Sequence, residues 1–302
     1  LDKIADDLLQ SAISDVLVIL PTQRACREFR KIYASKSNGV TRLPVIQPIS
    51  ELAESLNAPP VADDLTLLLE LKSVYDALFP PEKFETFLSF GMQMLDDFSE
   101  VDRQMIDAGL LFQEVKDMKL LDERFAPGAE EADFIRNFWS EFLRTPYTPL
   151  QTSFLQYWKQ LPALYSGLKT KLIASGQCYE GLAWRIIAEN ISGQSYFSRF
   201  SKVVFAGFYA LNMTEEVILE YLEKSGKLML YADADNLYCD NYTHEAGMFF
   251  RKGFFHKHSY KGLDNYLNKE KNSYIENYKI EFFKEFANAT DGNLKDYADN
   301  SI

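Results

Sequence analysis

The 302 residues are 47% hydrophobic and 14% aromatic, which is enough to bury a large core in one large or two coupled domains and excludes a low-complexity chain. With 32 Lys and Arg against 44 Asp and Glu, the net charge of −12 excludes nucleic-acid binding by the whole surface, because phosphate binding rests on basic groups that release counterions. No apolar run approaches the length of a membrane span. Cys26, Cys178 and Cys239 are odd in number, widely separated and outside any metal-ligand spacing, which fits thiols kept reduced in a cytoplasmic protein.

In chain order, Lys3 to Ala12 reads as an amphipathic acidic helix, unlike the basic and apolar start of a signal peptide. The run Val16-Leu17-Val18-Ile19-Leu20 suits a strand buried on both faces of a parallel sheet. Pro21-Thr22 stops it and starts a basic helix that reaches about Ala34. That turn sits at the carboxyl end of a strand, where open α/β sheets bind ligands. A second short strand is expected around Pro44-Val45-Ile46, and Asn57-Ala58-Pro59-Pro60 marks a boundary.

Beyond the boundary the periodicity becomes helical. Asp63 or Asp64 caps a helix carrying Leu65, Leu68, Leu69, Lys72, Tyr75, Leu78 and Phe79, which stops at Pro80-Pro81. Another begins near Glu82 and is expected to bury Phe84, Phe87, Leu88, Leu95 and Phe98. Thr148-Pro149 supplies an N-cap and a proline at the first helical position of a long helix with Phe154, Leu155, Trp158 and Leu161 on one face. Pro162 should kink it and Ser175-Gly176 should end it. A further helix, Tyr179 to Ile191, carries Trp184, Ile187 and Ala188. Trp139, Phe142, Tyr157, Trp158, Tyr165 and Trp184 recur at helical spacing and are assigned to the core rather than to base stacking. Sheet signals return at Lys202, followed by a short helix from Thr214 to Ser225-Gly226 and a strand from Lys227 to Tyr231.

Charge is unevenly spread. Residues 93–133 hold twelve acidic residues against four basic ones, so their helices are expected to face solvent or a partner protein. Small basic groups remain at Arg24, Arg27, Arg30 and Lys31, and at Arg251, Lys252, Lys257 and Lys261, so any DNA path is local.

No catalytic motif is complete in the sequence. A phosphate-binding loop needs GxxxxGK[ST] between strand and helix, and none exists. Gly226-Lys227 lies after a helix and before a strand, and Ser166-Gly167-Leu168-Lys169-Thr170 lies in a helical pattern. Glu114-Val115-Lys116 has the Glu-x-Lys spacing of a magnesium nuclease but sits in an acidic helical stretch without a preceding Pro-Asp. His244, His256 and His258 fit no standard zinc spacing. No cofactor or metal is assigned to this chain, and no catalytic residue.

Three segments nevertheless carry a resemblance. Thr22-Gln23-Arg24-Ala25 with Glu28-Phe29-Arg30 resembles motif Ia of superfamily 1 DNA helicases, which touches the backbone of single-stranded DNA. Lys202 to Asn212 stands where such helicases carry motif II, with Ala206-Gly207 in place of the Asp-Glu pair that holds magnesium. Leu228 to Tyr238 is similar to motif III, with Asp233, Asp235 and Asn236 at the polar strand end. The combination with His244-Glu245-Ala246-Gly247 resembles the amino-terminal, inactivated helicase-like part of AddB-type exonuclease subunits over residues 1–257.

The resemblance implies an α/β, parallel-sheet, degenerate P-loop NTPase-like domain interrupted by a large all-helical insertion. Residues 1–58 and 199–260 would be the two parts of the α/β domain, 59–198 the insertion similar to helicase region 1B, and 261–302 a poorly defined tail or the start of the next domain. It implies a non-enzymatic DNA-binding and scaffolding module in double-strand break repair and recombination. Thr22, Gln23, Arg24 and Arg27 would contact single-stranded DNA, and an AddA-like helicase-nuclease subunit would be the partner. The start at Leu1 is read as that of a fragment whose parent carries a PD-(D/E)xK nuclease further on. The alternative is a protein-protein scaffold that docks the motor subunit without touching DNA.

Overall fold

The computed structural model describes residues 1–11, 14–37, 42–114, 148–232 and 248. Among these the chain divides into two compact units, one of Leu1–Ile46, Lys202–Leu211 and the described residues from Leu228 on, the other of Gln47–Ser201 and Asn212–Lys227.

The first unit is built on a four-stranded, all-parallel sheet of order β2-β1-β3-β4, a Rossmann-like arrangement. Its strands are β1 (Val16–Leu20), β2 (Val45–Pro48, of which Val45 and Ile46 belong to this unit), β3 (Lys202–Ala206) and β4 (Leu228–Tyr231). β1 pairs parallel with β3, Val16 opposite Lys202 and Ile19 opposite Phe205, and β3 pairs parallel with β4. All five β1 residues are buried, as an uninterrupted apolar run requires of a central parallel strand. Helices α1 (Asp2–Ser11) and α2 (Gln23–Lys36) pack together, burying Ile4, Leu8, Cys26 and Phe29 with Val16, Val18, Leu20 and Val204. Lys36 of α2 binds Asp2 and Asp6 of α1, and the Tyr231 hydroxyl donates to Asp7.

The second unit is helical: α3 (Leu52–Ser55), α4 (Asp64–Leu78), α5 (Phe84–Arg103), α6 (Ala108–Glu114), α7 (Pro149–Ala174), α8 (Glu180–Glu189) and α9 (Met213–Lys224). α5 packs on α4 and α8, α7 on α4 and α6, and α9 on α8. Local signals place many of the ends. Asp63 caps α4 by accepting from the Thr66 amide, α7 begins at Pro149, and Gly176 and Gly226 take φ of +70° and +68° just past α7 and α9. At both glycines the amide bonds of a Schellman turn are present, Gln177 to Leu172 and Lys227 to Leu222. α7 continues through Pro162.

Of the apolar residues expected on α4 and α5, Leu68, Tyr75, Phe87, Leu95 and Phe98 are buried, but others are not. Leu65 and Leu69 are exposed whereas Leu67 and Leu71 are buried, and Phe84 and Leu88 are exposed whereas Phe87, Met94, Leu95 and Phe98 are buried. Both helices have apolar residues on more than one face, so the neighbour selects the face. Asp102 corrects the expectation that the acids of residues 93–133 face solvent, because it is fully buried. Of the aromatic series, Tyr165 and Trp184 are core residues, and the Tyr157 hydroxyl meets the Met94 sulfur.

The polar end of the motif III-like segment (Asp233, Asp235, Asn236), His244 to Gly247, His256, His258 and Val115-Lys116 lie outside the described residues. No helix among the described residues is long and apolar enough to cross a membrane.

Candidate nucleic-acid interface

The carboxyl ends of β1 and β3 meet at one edge of the sheet. The register that places Ile19 beside Phe205 brings Pro21 beside Gly207. Gly207 has φ of +81°, its amide donates to the Tyr231 carbonyl at 3.1 Å, and a Cβ there would lie 3.6 Å from the Pro21 ring. Glycine is therefore needed for the backbone conformation rather than for space. Ala206 is buried, Phe208 turns inward onto Phe205, and Tyr209 is 53% exposed. Ala206 and Gly207 thus place a methyl group and a left-handed turn at the end of β3, with no carboxylate at either position to hold a cation.

Thr22 is the N-cap of α2, with extended backbone and its Oγ1 accepting from the Ala25 amide at 3.1 Å. The Cys26 amide donates to the Thr22 carbonyl. Thr22, Gln23, Arg24 and Arg27 are all exposed on this turn, and the first turn of α2 has no acidic residue. A helix start of this kind presents N–H groups and the positive end of the helix dipole to an anion.

The basic group of α2 is smaller than the sequence suggests. Arg30 donates to the Ile46 carbonyl and so ties α2 to β2, while Lys31 pairs with Glu28 at 2.9 Å. That Lys31 hydrogen bond and charge, with lesser contributions from Arg24 and Arg27, hold the Glu28 carboxyl below its usual range. Glu28 is consequently occupied by Lys31 rather than by Arg27. Arg24 and Arg27 are the exposed arginines nearest the start of the helix.

The helical unit contains a side-chain cluster that sequence reasoning misses. Asp102, at the end of α5, accepts from the Tyr165 and Tyr179 hydroxyls, from Lys169 Nζ at 3.0 Å and from an Arg185 guanidinium nitrogen at 3.2 Å. Arg185 also donates to the Ile106 carbonyl and pairs with Glu189. Burial, then the Asp102 charge and hydrogen bond, push the Tyr179 hydroxyl far above its ordinary range, and Tyr165 is raised for the same reasons. Every partner of Asp102 is used in tying α5, α7 and α8 together, so the cluster is structural. The i to i+4 spacing of Tyr165 and Lys169 was a visible signal, but nothing local connects them to Asp102.

The Cys178 thiol is buried, donates to the Pro59 carbonyl and is pushed up to about 11 by burial, which leaves it inert at neutral pH. Among the described residues no group of three or more His, Cys, Asp or Glu is placed to hold a metal ion. No protein-family model matches the chain, and no curated protein matches it.

Proposed function

We propose that this chain is a catalytically silent, helicase-like module of an AddB-type exonuclease. It contacts single-stranded DNA locally through Thr22, Gln23, Arg24 and Arg27 and works beside an AddA-like motor subunit in cytoplasmic double-strand break repair. The observation that carries the reading is the sheet edge itself. A capped helix start with two exposed arginines stands at the carboxyl end of a central parallel strand, where α/β sheets place ligands, beside a turn that lacks the motif II carboxylates. One phosphate would accept from the Thr22 hydroxyl and the first-turn amides, and the arginines would pair with neighbouring phosphates through charged hydrogen bonds.

Binding of a single-stranded oligonucleotide by wild type and Arg24→Ala across a salt series tests the reading. Loss of one phosphate contact weakens binding for all sequences alike and lowers the salt slope by about one. Unchanged affinity and slope, with circular dichroism confirming the fold, would remove this edge as the DNA site. The second reading, a docking scaffold without DNA contact, is favoured by the exposed acidic residues of α5.

A further inference from the structure

The helical unit carries a cleft of about 520 Å³ where the start of α4, the middle of α5 and the start of α8 converge. Its floor is apolar. Leu67 and Leu95 are buried beneath it, and Val61, 53% exposed, stands at its side on backbone bridged to Cys178. Its rim is acidic, formed by the exposed residues Asp64, Asp96, Asp97 and Glu100. The one cation in the lining, Arg103, is already paired with Glu180 at 2.6 Å. Asp97 and Glu100 accept from the side-chain amides of Gln93 and Gln104, neutral donors that leave both charges in place. Four carboxylates on one rim repel one another, so a cationic occupant gains both by pairing and by relieving that repulsion.

We propose that this cleft is a docking groove for a short segment of a partner protein in which two adjacent arginines are flanked by leucine-sized apolar residues. The apolar side chains fill the floor over Leu67 and Leu95, and the guanidinium groups meet the Asp96, Asp97 and Glu100 carboxylates, whose planar oxygens suit bidentate pairing. Charge complementarity selects this occupant over an acidic peptide or a nucleic acid, which the rim repels. The apolar floor separates it from a merely polycationic one. The inference rests on the docking part of the proposed function and is independent of DNA contact at Arg24.

The test is fluorescence anisotropy with the whole chain and a labelled peptide carrying Leu-Arg-Arg-Leu between Gly-Ser flanks, against the same peptide with Ser-Arg-Arg-Ser or Leu-Gln-Gln-Leu. Saturable binding of the first, at least about tenfold weaker for either control, is expected. Replacing Asp96→Asn and Asp97→Asn together should weaken it about tenfold, while Glu220→Gln and Glu223→Gln on α9 should leave it unchanged. Absence of binding, equal binding of the Ser-Arg-Arg-Ser peptide, or insensitivity to the Asp96 and Asp97 substitutions would overturn the groove. None of these results alters the oligonucleotide assay of Arg24→Ala, which reads the sheet unit, so the two ideas fail separately.

Discussion

Replacing Asp102 by alanine should be among the most destabilising single changes in the helical unit. Its carboxylate is fully buried, yet it receives two tyrosine hydroxyls, Lys169 and Arg185. Removing one partner of a buried ion pair typically costs about 3–5 kcal/mol, because the remaining charge keeps its desolvation penalty without compensation. Lys169 and Arg185 side chains are 21% and 18% exposed, so water can take up part of each charge and the lower end of that range applies. Two hydroxyls also lose an acceptor, although Tyr165 still receives a hydrogen bond from Lys169. The expected loss is about 3 kcal/mol.

Urea unfolding followed by tryptophan fluorescence reads this unit directly, since Trp184 is buried in α8 one residue before Arg185. With a slope of about 2 kcal/mol per molar urea, the midpoint should fall by about 1.5 M. Asp102→Asn keeps an acceptor but loses the charge, so its midpoint should lie between wild type and Asp102→Ala. A shift for Asp102→Ala no larger than that of Asp97→Ala, on the exposed side of the same helix, would refute the assignment of this cluster as the tie between α5, α7 and α8.

Gly181→Ala should also destabilise, since its Cβ would lie 2.0 Å from the Ser99 carbonyl oxygen, in backbone of α5 that cannot rotate aside. The clash costs about 1–3 kcal/mol or more, and only about 1 kcal/mol returns as helix propensity. A melting temperature for Gly181→Ala equal to that of Gly193→Ala, whose Cβ meets nothing within 4 Å, would contradict it. Burial raises the Tyr157, Tyr165 and Tyr179 hydroxyls above the ordinary 10.0, Tyr157 to about 12. Each stays protonated in the folded chain where the unfolded chain has ionised, so its stabilisation is complete below about pH 10 and declines above it by about 1.4 kcal/mol per pH unit. Urea midpoints should therefore drop between about pH 10 and pH 12, less steeply in Tyr157→Phe, and a flat profile would count against the buried hydroxyls. Introducing an Asp-Glu pair by Ala206→Asp with Gly207→Glu should give no ATP hydrolysis, because the sequence has no GxxxxGK[ST] loop. It should also weaken the fold, since a non-glycine residue at φ of +81° costs about 1–2 kcal/mol and Ala206 is 2% exposed. Phosphate release proportional to protein would sink this.

How much was legible in advance depends on the range of the interaction that decides each feature. The β1 strand is dictated by five consecutive apolar residues, and its end and the start of α2 by Pro21 and the Thr22 hydroxyl, all within one turn of one another. The same holds for Asp63 before α4, Pro149 opening α7, and the glycines after α7 and α9, because caps and left-handed turns are settled by bonds between residues three to five apart. The exposed edge of Thr22, Gln23, Arg24 and Arg27 follows from those local signals.

Tertiary packing decided the rest. Leu65 and Leu69 match a helical stripe as well as Leu67 and Leu71 do, and only the approach of α5 and α7 selects the second pair. Arg30 and Lys31 look equivalent to Arg24 and Arg27 in sequence. Arg30 is engaged by the Ile46 carbonyl, a contact that depends on where the chain returns, whereas Lys31 meets Glu28 three residues away on the same helix. Asp102 sits among acids that do face water, and the partners that bury it lie 63 to 83 residues away. Short-range hydrogen bonds and apolar runs thus set the element ends and the central strand from sequence alone. The buried face of each helix, the engagement of Arg30 and the closed Asp102 network required the folded chain, because each depends on the free energy of surfaces meeting across long separations.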